Sequence, residues 1–282
     1  MKLVRYGEAG RERPGMIDAN GALHDLADHV ADIDGAALVP EALDMLRSLD
    51  PTALALVHGE HRLGPPVGKV GKVIAVGLNY ADHAAESGLK VPEEPILFMK
   101  ATSSICGPYD EVILPRGSTK PDWEVELAIV IGKEARYVSE QDAPDHIAGY
   151  VICNDVSERH FQIERSGQWV KGKSADTFCP LGPWLVTADE IADPQQLDLW
   201  LDVNGERMQT GSTRTMVFGA HYLVSYISQF MTLQPGDVIP TGTPPGVGMG
   251  KKPQRWLKPG DEMRLGVSGL GEQRQRVKAW EG

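Results

Sequence analysis

One stretch of the chain, residues 121–155, constrains the fold more than any other. It contains the run W-E-V-E-L-A-I-V-I over residues 123–131 and the run Y-V-I-C over residues 150–153. Side chains of a β-strand point alternately to its two faces, so the first run predicts a strand with Glu124 and Glu126 on one face. The second run predicts another strand, and Asp155 follows where that strand gives way to a loop.

Two interpretations of these acids are open. Glu124 and Glu126 could form the solvated face of an ordinary antiparallel strand. Alternatively, they meet Asp155, and three adjacent carboxylates would resist ionisation unless a cation lay between them. Oxygen ligands with no nearby His or Cys suit a hard ion, Mg²⁺ first, with Mn²⁺ or Ca²⁺ as substitutes.

Composition excludes several classes of protein. The 282-residue chain has a formal net charge of -11, which argues against nucleic-acid binding because phosphate contacts need a basic surface. It has no apolar run of membrane-spanning length and no apolar signal region at its start, so we expect a cytoplasmic protein without a membrane partner. The three cysteines are scattered, which favours reduced thiols and no zinc site.

Two domains are predicted. Residues 1–70 contain strand and hairpin patterns and a helix over residues 40–49, which together indicate a small N-terminal α/β domain. A Gly- and Pro-rich segment at residues 61–72 predicts a linker, and we place the boundary near Gly71. Residues 71–282 then form the second and larger domain, which carries the chemistry.

A short helix after the strand at residues 72–76 would carry His83 and Glu86. These residues are three positions apart, so the carboxylate can orient the imidazole and raise its basicity, as a general base requires. A solvated surface helix would give the same spacing, and both interpretations stay open.

Polar residues after Asp155 are candidates for the same pocket. Arg159 and Gln162 share a helical face and could bind a carboxylate, although surface polarity would explain them equally well. Lys173 could stabilise an anion formed on the substrate, with Lys171 as a competitor for that role. The loop that contains Thr241 and Thr243 could hold a carboxylate through backbone N–H groups and hydroxyls.

Five motifs, in this order, resemble those of the fumarylacetoacetate hydrolase superfamily over residues 71–282. They are V-G-L-N-Y-x-x-H-x-x-E, W-E-V-E-L, N-D-V-S-x-R-x-x-Q, K-S-A-D-T-F-x-P-L-G-P and T-G-T-P-x-G-V-G. The resemblance implies a β-rich α+β roll of mixed sheets, a homodimer or higher homo-oligomer, and bound Mg²⁺ or Mn²⁺. By the same resemblance, the metal ligands would be Glu124, Glu126 and Asp155, and the water-activating pair would be His83 and Glu86. Lys173 would be the lysine at the metal. The substrate contacts would be Arg159, Gln162 and Thr243.

The resemblance also implies an activity. It is the hydrolysis of a C–C bond in a 2,4-dioxo acid, an acylpyruvate, to pyruvate and a second acid. The subgroup that it favours acts in sugar-acid catabolism, such as the L-rhamnose pathway, and splits 2,4-diketo-3-deoxy-L-rhamnonate or the L-fuconate analogue to pyruvate and lactate. Fumarylpyruvate hydrolysis, oxaloacetate decarboxylation and isomerisation remain alternatives on the same fold. A non-catalytic sugar-acid binding protein is the alternative of another class.

Overall fold

The structure is a computed structural model that describes residues 1–86 and 90–281, except for the side chains of residues 83–85. The described strands are β1 (Lys2–Tyr6), β2 (Arg13–Ile17), β3 (Leu23–Asp25), β4 (Val73–Gly77), β5 (Ile96–Lys100), β6 (Ile105–Cys106), β7 (Val112–Leu114), β8 (Pro121–Asp122), β9 (Val125–Ile131), β10 (Ile147–Asn154), β11 (Ser157–Glu158), β12 (Cys179–Thr187), β13 (Asp198–Val203), β14 (Glu206–Ser212), β15 (Val238–Pro240), β16 (Glu262–Val267) and β17 (Gly271–Ala279). The helices are α1 (Pro40–Arg47), α2 (Ala81–Glu86), α3 (Val170–Lys173) and α4 (Ala220–Ser228). This strand-rich architecture confirms the predicted β-rich α+β class.

Most of the strands belong to one large mixed sheet. Its order is β3-β2-β1-β12-β10-β9-β15-β4-β5, and β6 pairs with β12 outside this path. The contacts of β4 with β15 and of β6 with β12 are parallel, whereas β9 and β10 are antiparallel to each other. Every residue of β9 and β10 is buried, which explains their near-continuous apolar sequences.

Two hydrophobic cores cover the two faces of the large sheet. Val125, Leu127 and Ile129 of β9 pack in a core shared with α4 and with the second sheet, whose order is β14-β13-β16-β17-β7. Ala128 and Val130 of β9 pack instead in a core shared with the N-terminal segment. Because successive side chains of a strand alternate, β9 supplies both cores.

The N-terminal segment continues the large sheet. β1 pairs with β12 in antiparallel register, with Lys2 opposite Val186 and Leu3 opposite Leu185. β2 and β3 form the predicted hairpin and extend the sheet further. Strands from both sides of Gly71 therefore share one sheet, and the division into domains 1–70 and 71–282 stays a prediction.

Helix α4 corrects one sequence interpretation. The apolar stripe of residues 218–231 predicts a helix whose aromatic residues are core. In the structure Leu223 and Ile227 are buried, but Phe230 is 63% exposed. The rings of Tyr222 and Tyr226 stack with centroids 5.9 Å apart, and Tyr226 also packs against the core. Phe230 follows the helix and meets Tyr226 edge to face at 4.9 Å, so the core prediction is wrong for Phe230, which an aromatic neighbour covers instead. Within the described residues, every helix is too short or too polar to cross a bilayer.

Candidate metal centre and active site

Three buried carboxylates meet where β9 and β10 lie side by side. Glu126 is in β9, Glu124 directly precedes it, and Asp155 directly follows β10. Antiparallel pairing of the two strands places Cys153 opposite Glu126 and so brings the start of β9 beside the end of β10. Oxygens of the three carboxylates lie within 4.8 Å of one another. The structure thus brings together the three acids that the sequence pattern selects.

The burial of these acids excludes a solvated strand face. Glu124 is 5% exposed, Glu126 is 1% exposed and Asp155 is fully buried. A carboxylate in such a position is costly unless hydrogen bonds or positive charge compensate it. Alternation along the strand therefore directs Glu124 and Glu126 into the protein interior.

Glu126 is the least compensated member of the triad. Its Oε2 accepts a hydrogen bond from the N–H of Gly242 at 2.8 Å, and none of the ion pairs among the described residues includes it. Burial raises the pKa of Glu126 well above its ordinary value, and the charges of Asp155 and Glu124 raise it further. A cation bound beside Glu126 would remove this penalty.

Lys173 connects the other two acids. Its Nζ donates to Glu124 Oε2 at 2.8 Å and to Asp155 Oδ2 at 2.7 Å. Lys173 is the last residue of α3 and is buried, whereas Lys171 is exposed and donates to the carbonyl of Arg165. Of the two lysines considered from the sequence, the structure therefore places only Lys173 at the triad.

Lys100 is a site residue that the sequence pattern does not predict. It ends β5, is fully buried, and donates from Nζ to Asp155 Oδ1 at 2.5 Å and to the carbonyls of Val156 and Lys173. Burial alone would lower the pKa of Lys100, but the charge of Asp155 reverses the shift and raises it. The available signal was a lysine directly after the apolar run I-L-F-M.

The guanidinium of Arg159 donates hydrogen bonds to two acids and one amide. Its Nε donates to Asp122 Oδ2 at 2.9 Å, Nη2 to Glu124 Oε1 at 2.5 Å and Nη1 to Gln162 Oε1 at 3.0 Å. Burial lowers the pKa of Arg159, but Glu124 and Asp122 raise it above its ordinary value overall. The predicted helical turn in this region is a π-helical turn, His160–Glu164, preceded by β11.

Asp122 is a second site residue that the sequence pattern does not predict. Besides binding Arg159, its carboxylate accepts the backbone N–H groups of Trp123, Gly248 and Met249 at 2.6 to 3.0 Å. It therefore fixes Arg159 and the loop after residue 246 at the same point. Its sequence signal was the aspartate that immediately precedes W-E-V-E.

The predicted pair His83 and Glu86 is on helix α2. The helix begins at Ala81 and ends at Glu86, and the side chain of His83 lies outside the described residues. The carboxylate of Glu86 accepts the N–H of Gly246 at 3.0 Å. Gly246 has a φ of +108°, and a Cβ there would lie 2.0 Å from the carbonyl oxygen of Met208, so only glycine fits. Orientation of His83 by Glu86 stays a prediction.

The two loop threonines fasten their loop to β9. Thr243 Oγ1 donates to the carbonyl of Val125 at 2.9 Å and accepts from Gln209 Nε2 at 2.8 Å. Thr241 Oγ1 donates to the carbonyl of Leu127 at 2.8 Å. Their hydroxyl protons are therefore directed at the strand, while the neighbouring N–H of Gly242 is directed at Glu126.

One pocket joins these groups. Its charged and polar part contains most of the predicted site residues, and its other part is apolar. The described lining is Val76, Gly77, Leu78, Phe98, Glu124, Glu126, Arg159, Gln162, Ile163, Trp169, Lys173, Gly242, Thr243 and Met249.

The residues present fit a hard divalent cation. The described cluster combines four buried acids with three buried bases, so one negative charge is left over: Asp122, Glu124, Glu126 and Asp155 against Lys100, Arg159 and Lys173. The triad offers only carboxylate oxygens, which Mg²⁺ and Mn²⁺ prefer over nitrogen or sulfur. Such an ion would be most stabilising beside Glu126, because this buried carboxylate has no ion-pair partner among the described residues.

The chain is similar to known proteins over its whole length. A family model described as fumarylacetoacetate (FAA) hydrolase C-terminal matches residues 72–278. A protein of Burkholderia ambifaria, provisionally named a hydrolase, is 61% identical over 279 residues, which cover 99% of each chain.

Solved structures agree with that assignment. A probable 2-hydroxyhepta-2,4-diene-1,7-dioate isomerase from Mycobacterium abscessus is 35% identical with a TM-score of 0.85, and the match covers 100% of both chains. Maleylpyruvate hydrolase from Sphingobium sp. SYK-6, solved in complex with manganese(II) and pyruvate, is 31% identical with a TM-score of 0.84 over 100% of both chains. These relatives are hydrolases or isomerases on one fold. The chain therefore belongs to the fumarylacetoacetate hydrolase family.

Proposed function

We propose that this chain is a divalent-metal-dependent hydrolase that splits the C3–C4 bond of a 2,4-dioxo acid into pyruvate and a second carboxylic acid. The observation that supports this most is the buried triad Glu124, Glu126 and Asp155, with Lys173 bonded across it beside a pocket. The related maleylpyruvate hydrolase, which was solved with manganese and pyruvate, adds support from outside the chain.

The triad would hold Mg²⁺ or Mn²⁺. When bound, the ion supplies positive charge that polarises substrate oxygens and stabilises negative charge as it develops. Lys173 adds to this, because an ammonium group has three N–H donors and two of them bind Glu124 and Asp155. The third donor of Lys173 can bind a substrate oxygen.

Arg159 and Gln162 would bind the substrate carboxylate. A guanidinium has five N–H donors, and three of those of Arg159 are used by Asp122, Glu124 and Gln162. The remaining two can grip a carboxylate, which suits a planar fork. Thr243 would complete this part of the pocket, chiefly by fixing its loop to β9.

His83, oriented by Glu86, would act as the general base. It takes a proton from water while the water oxygen forms a bond to C4. The C3–C4 bond then breaks and its electron pair stays on C3, which gives the second carboxylic acid and the enolate of pyruvate. Lys173 donates a hydrogen bond to the enolate oxygen, and return of the proton from His83 to C3 completes pyruvate.

Among acylpyruvates, the sequence resemblance favours 2,4-diketo-3-deoxy-L-rhamnonate, whose products are pyruvate and lactate. One observation favours a second candidate, an isomerase, because the Mycobacterium abscessus relative carries that name. Isomerisation also passes through an enolate, but it consumes no water and releases no pyruvate. Fumarylpyruvate and oxaloacetate are further candidate substrates.

A substrate panel tests the proposal. The purified protein, supplied with Mg²⁺ or Mn²⁺, is incubated with acylpyruvates, oxaloacetate and 2-hydroxyhepta-2,4-diene-1,7-dioate, and pyruvate is assayed by coupled reduction. We expect pyruvate from at least one 2,4-dioxo acid and loss of that signal with a chelator. Release of pyruvate from none of the 2,4-dioxo acids would refute the hydrolase, and conversion of the diene without pyruvate would identify an isomerase.

The general base has its own test. We expect His83→Ala to lower the hydrolysis rate by about 100-fold or more, the usual contribution of a positioned base. Binding of oxalate, a pyruvate analogue, should stay within about threefold, because the triad and Arg159 are intact and only a transition-state interaction is lost. Calorimetry measures the binding, and an equal loss of hydrolysis and binding would exclude the assigned role.

A further inference from the structure

The pocket has two chemically different ends. Glu124, Arg159 and Lys173, which bind one another, form a charged end, whereas Phe98, Ile163 and Trp169 supply apolar lining. We call the side chains of these three residues the apolar wall. A substrate that fills the pocket must therefore be charged at one end and apolar at the other.

The apolar wall is built by close packing. The rings of Phe98, on β5, and Trp169, just before α3, form an edge-to-face pair with centroids 5.3 Å apart. The indole also lies against Gly77 at the end of β4, where a Cβ would be only 2.5 Å from the ring. Only glycine at this position allows that approach, so the position of the Trp169 ring is fixed from both sides.

The wall begins directly beside the charged end. The Nζ atom of Lys173 lies 5.1 Å from the ring centroid of Phe98, so one side chain faces both the triad and the wall. Ile163 follows Gln162 on the π-helical turn and is 48% exposed. An apolar substrate group placed here would cover exposed apolar surface, which is the main source of affinity in such pockets.

A negative charge would be poorly accommodated at the wall. Among the described lining residues, the cations are Arg159 and Lys173, and both already bind carboxylates at the charged end. A second substrate carboxylate between Phe98, Ile163 and Trp169 would lose water without gaining a counter-ion.

We propose that the apolar wall selects 2,4-dioxo acids whose acyl group is uncharged and ends in an apolar group, and rejects those that end in a carboxylate. This inference rests on the proposed function and narrows its substrate class. A methyl-terminated acyl group meets the requirement.

A matched pair of substrates tests the inference on the unmodified protein. 2,4-Dioxoheptanoate and 2,4-dioxoheptanedioate have the same chain length, but one ends in a methyl group and the other in a carboxylate. We expect kcat/KM to favour the methyl-ended acid by at least about 100-fold, because the carboxylate loses hydration without compensation. From 2,4-dioxopentanoate to 2,4-dioxoheptanoate, each added methylene should raise kcat/KM by up to about fourfold.

A charge added to the wall should reduce this selectivity. Ile163→Arg places a cation at an exposed position of the wall. It should reduce the ratio of the two kcat/KM values by at least about tenfold, mainly by raising kcat/KM for the carboxylate-ended acid. Ile113→Arg is the matched control, since Ile113 is 37% exposed on β7 and outside the pocket lining. It should leave the preference unchanged.

The outcomes separate the two proposals. Equal or faster turnover of the carboxylate-ended acid would overturn the inference but would still support the proposed hydrolase activity. If neither these two acids nor any other 2,4-dioxo acid of the panel released pyruvate, the proposed function would fail. Calorimetric binding of the matched pair would still decide the inference: tighter binding of the methyl-ended acid supports it, and equal or weaker binding overturns it. A changed sedimentation mass of Ile163→Arg with unchanged selectivity would make the wall a contact between copies and overturn the inference.

Discussion

Two clusters of charged side chains show how burial changes what a charge does in this protein. The N-terminal cluster ties the first strands to the segment before β7 and contains Arg5, Glu12, Asp32, Arg62 and Asp110. The site cluster lies at the ends of β9 and β10 and contains Lys100, Asp122, Glu124, Glu126, Asp155, Arg159 and Lys173. Both combine acids with a smaller number of bases.

In the N-terminal cluster every acid has an arginine partner. Arg62 donates to Glu12 at 2.9 Å and to Asp110 at 2.5 Å, and Arg5 donates to Asp32 at 2.6 Å. Burial alone would raise the pKa of Glu12, but the hydrogen bond from Arg62 and the charge of Arg5 lower it overall. Arg62 is 29% exposed, so water shares the stabilisation. These charges stabilise the fold.

In the site cluster one acid has no such partner among the described residues. Glu126 has no cation of its own among the described residues, and its pKa is raised rather than lowered. Its neighbours are buried far more deeply than Arg62, so water contributes less to stabilising the charge. A buried charge that weakens the fold is expected where a ligand supplies the missing counter-charge.

The largest predicted effect is on turnover. Glu126→Gln keeps the shape of the side chain but removes one metal ligand charge, so we expect metal-dependent turnover to fall by about 1000-fold or more. Glu12→Gln in the N-terminal cluster is the matched control and should keep the activity. An undiminished rate in Glu126→Gln would exclude the ligand assignment.

The next effect is on stability. Lys100→Met leaves one oxygen of Asp155 and two carbonyls without a donor, and breaking a buried ion pair from one side costs about 3 to 5 kcal/mol. Arg62→Met, in the partly exposed cluster, should cost roughly 1 kcal/mol. Urea unfolding measures both, and equal losses would contradict the distinction between the two clusters.

A smaller effect, a gain in the free energy of unfolding, is expected at Glu126. Because the folded pKa of Glu126 is raised, its ionisation costs stability once the pH exceeds the unfolded pKa of a glutamate. We therefore expect Glu126→Gln to raise the free energy of unfolding of the metal-free protein by roughly 1 to 2 kcal/mol at about pH 7. The gain should vanish near about pH 4, where the unfolded carboxyl is protonated. Destabilisation at neutral pH would contradict this prediction.

The smallest effect belongs to Glu12. Its folded pKa is lowered, so its contribution is present above the unfolded pKa and is lost as the pH falls through the folded value. Glu12→Gln should cost roughly 1 kcal/mol at about pH 7 and progressively less in acid. Unfolding curves across this pH range measure it, and a cost that grew in acid would argue against the pairing with Arg62.

Much of the site could be predicted because its signals are local. Alternation along β9 places Glu124 and Glu126 together, and Asp155 ends the next strand in sequence. Lys100 could not be predicted in the same way, since β5 is four strands removed from β10 in the sheet and only the folded chain brings the lysine to Asp155. The same holds for the hydroxyl of Thr243, whose direction depends on Val125 and Gln209.

The fold also combines elements that the local sequence predicts with contacts that it does not. Helix α1 and the β2–β3 hairpin follow from local pattern and are confirmed. Pairing of β1 with β12 joins residues more than 180 positions apart, and no local pattern encodes that contact. The exposure of Phe230 is not encoded locally either, because an aromatic stripe looks the same whether its rings meet a core or one another.

A titration of metal-stripped protein with Mn²⁺ tests the central claim most directly. The claim is that the triad of Glu124, Glu126 and Asp155 is a cation site, whereas every acid of the N-terminal cluster already has an arginine partner. Calorimetry should find one tight site in the unmodified protein and in Glu12→Gln, and no such site in Glu126→Gln. Equal Mn²⁺ binding by Glu126→Gln and the unmodified protein would contradict it.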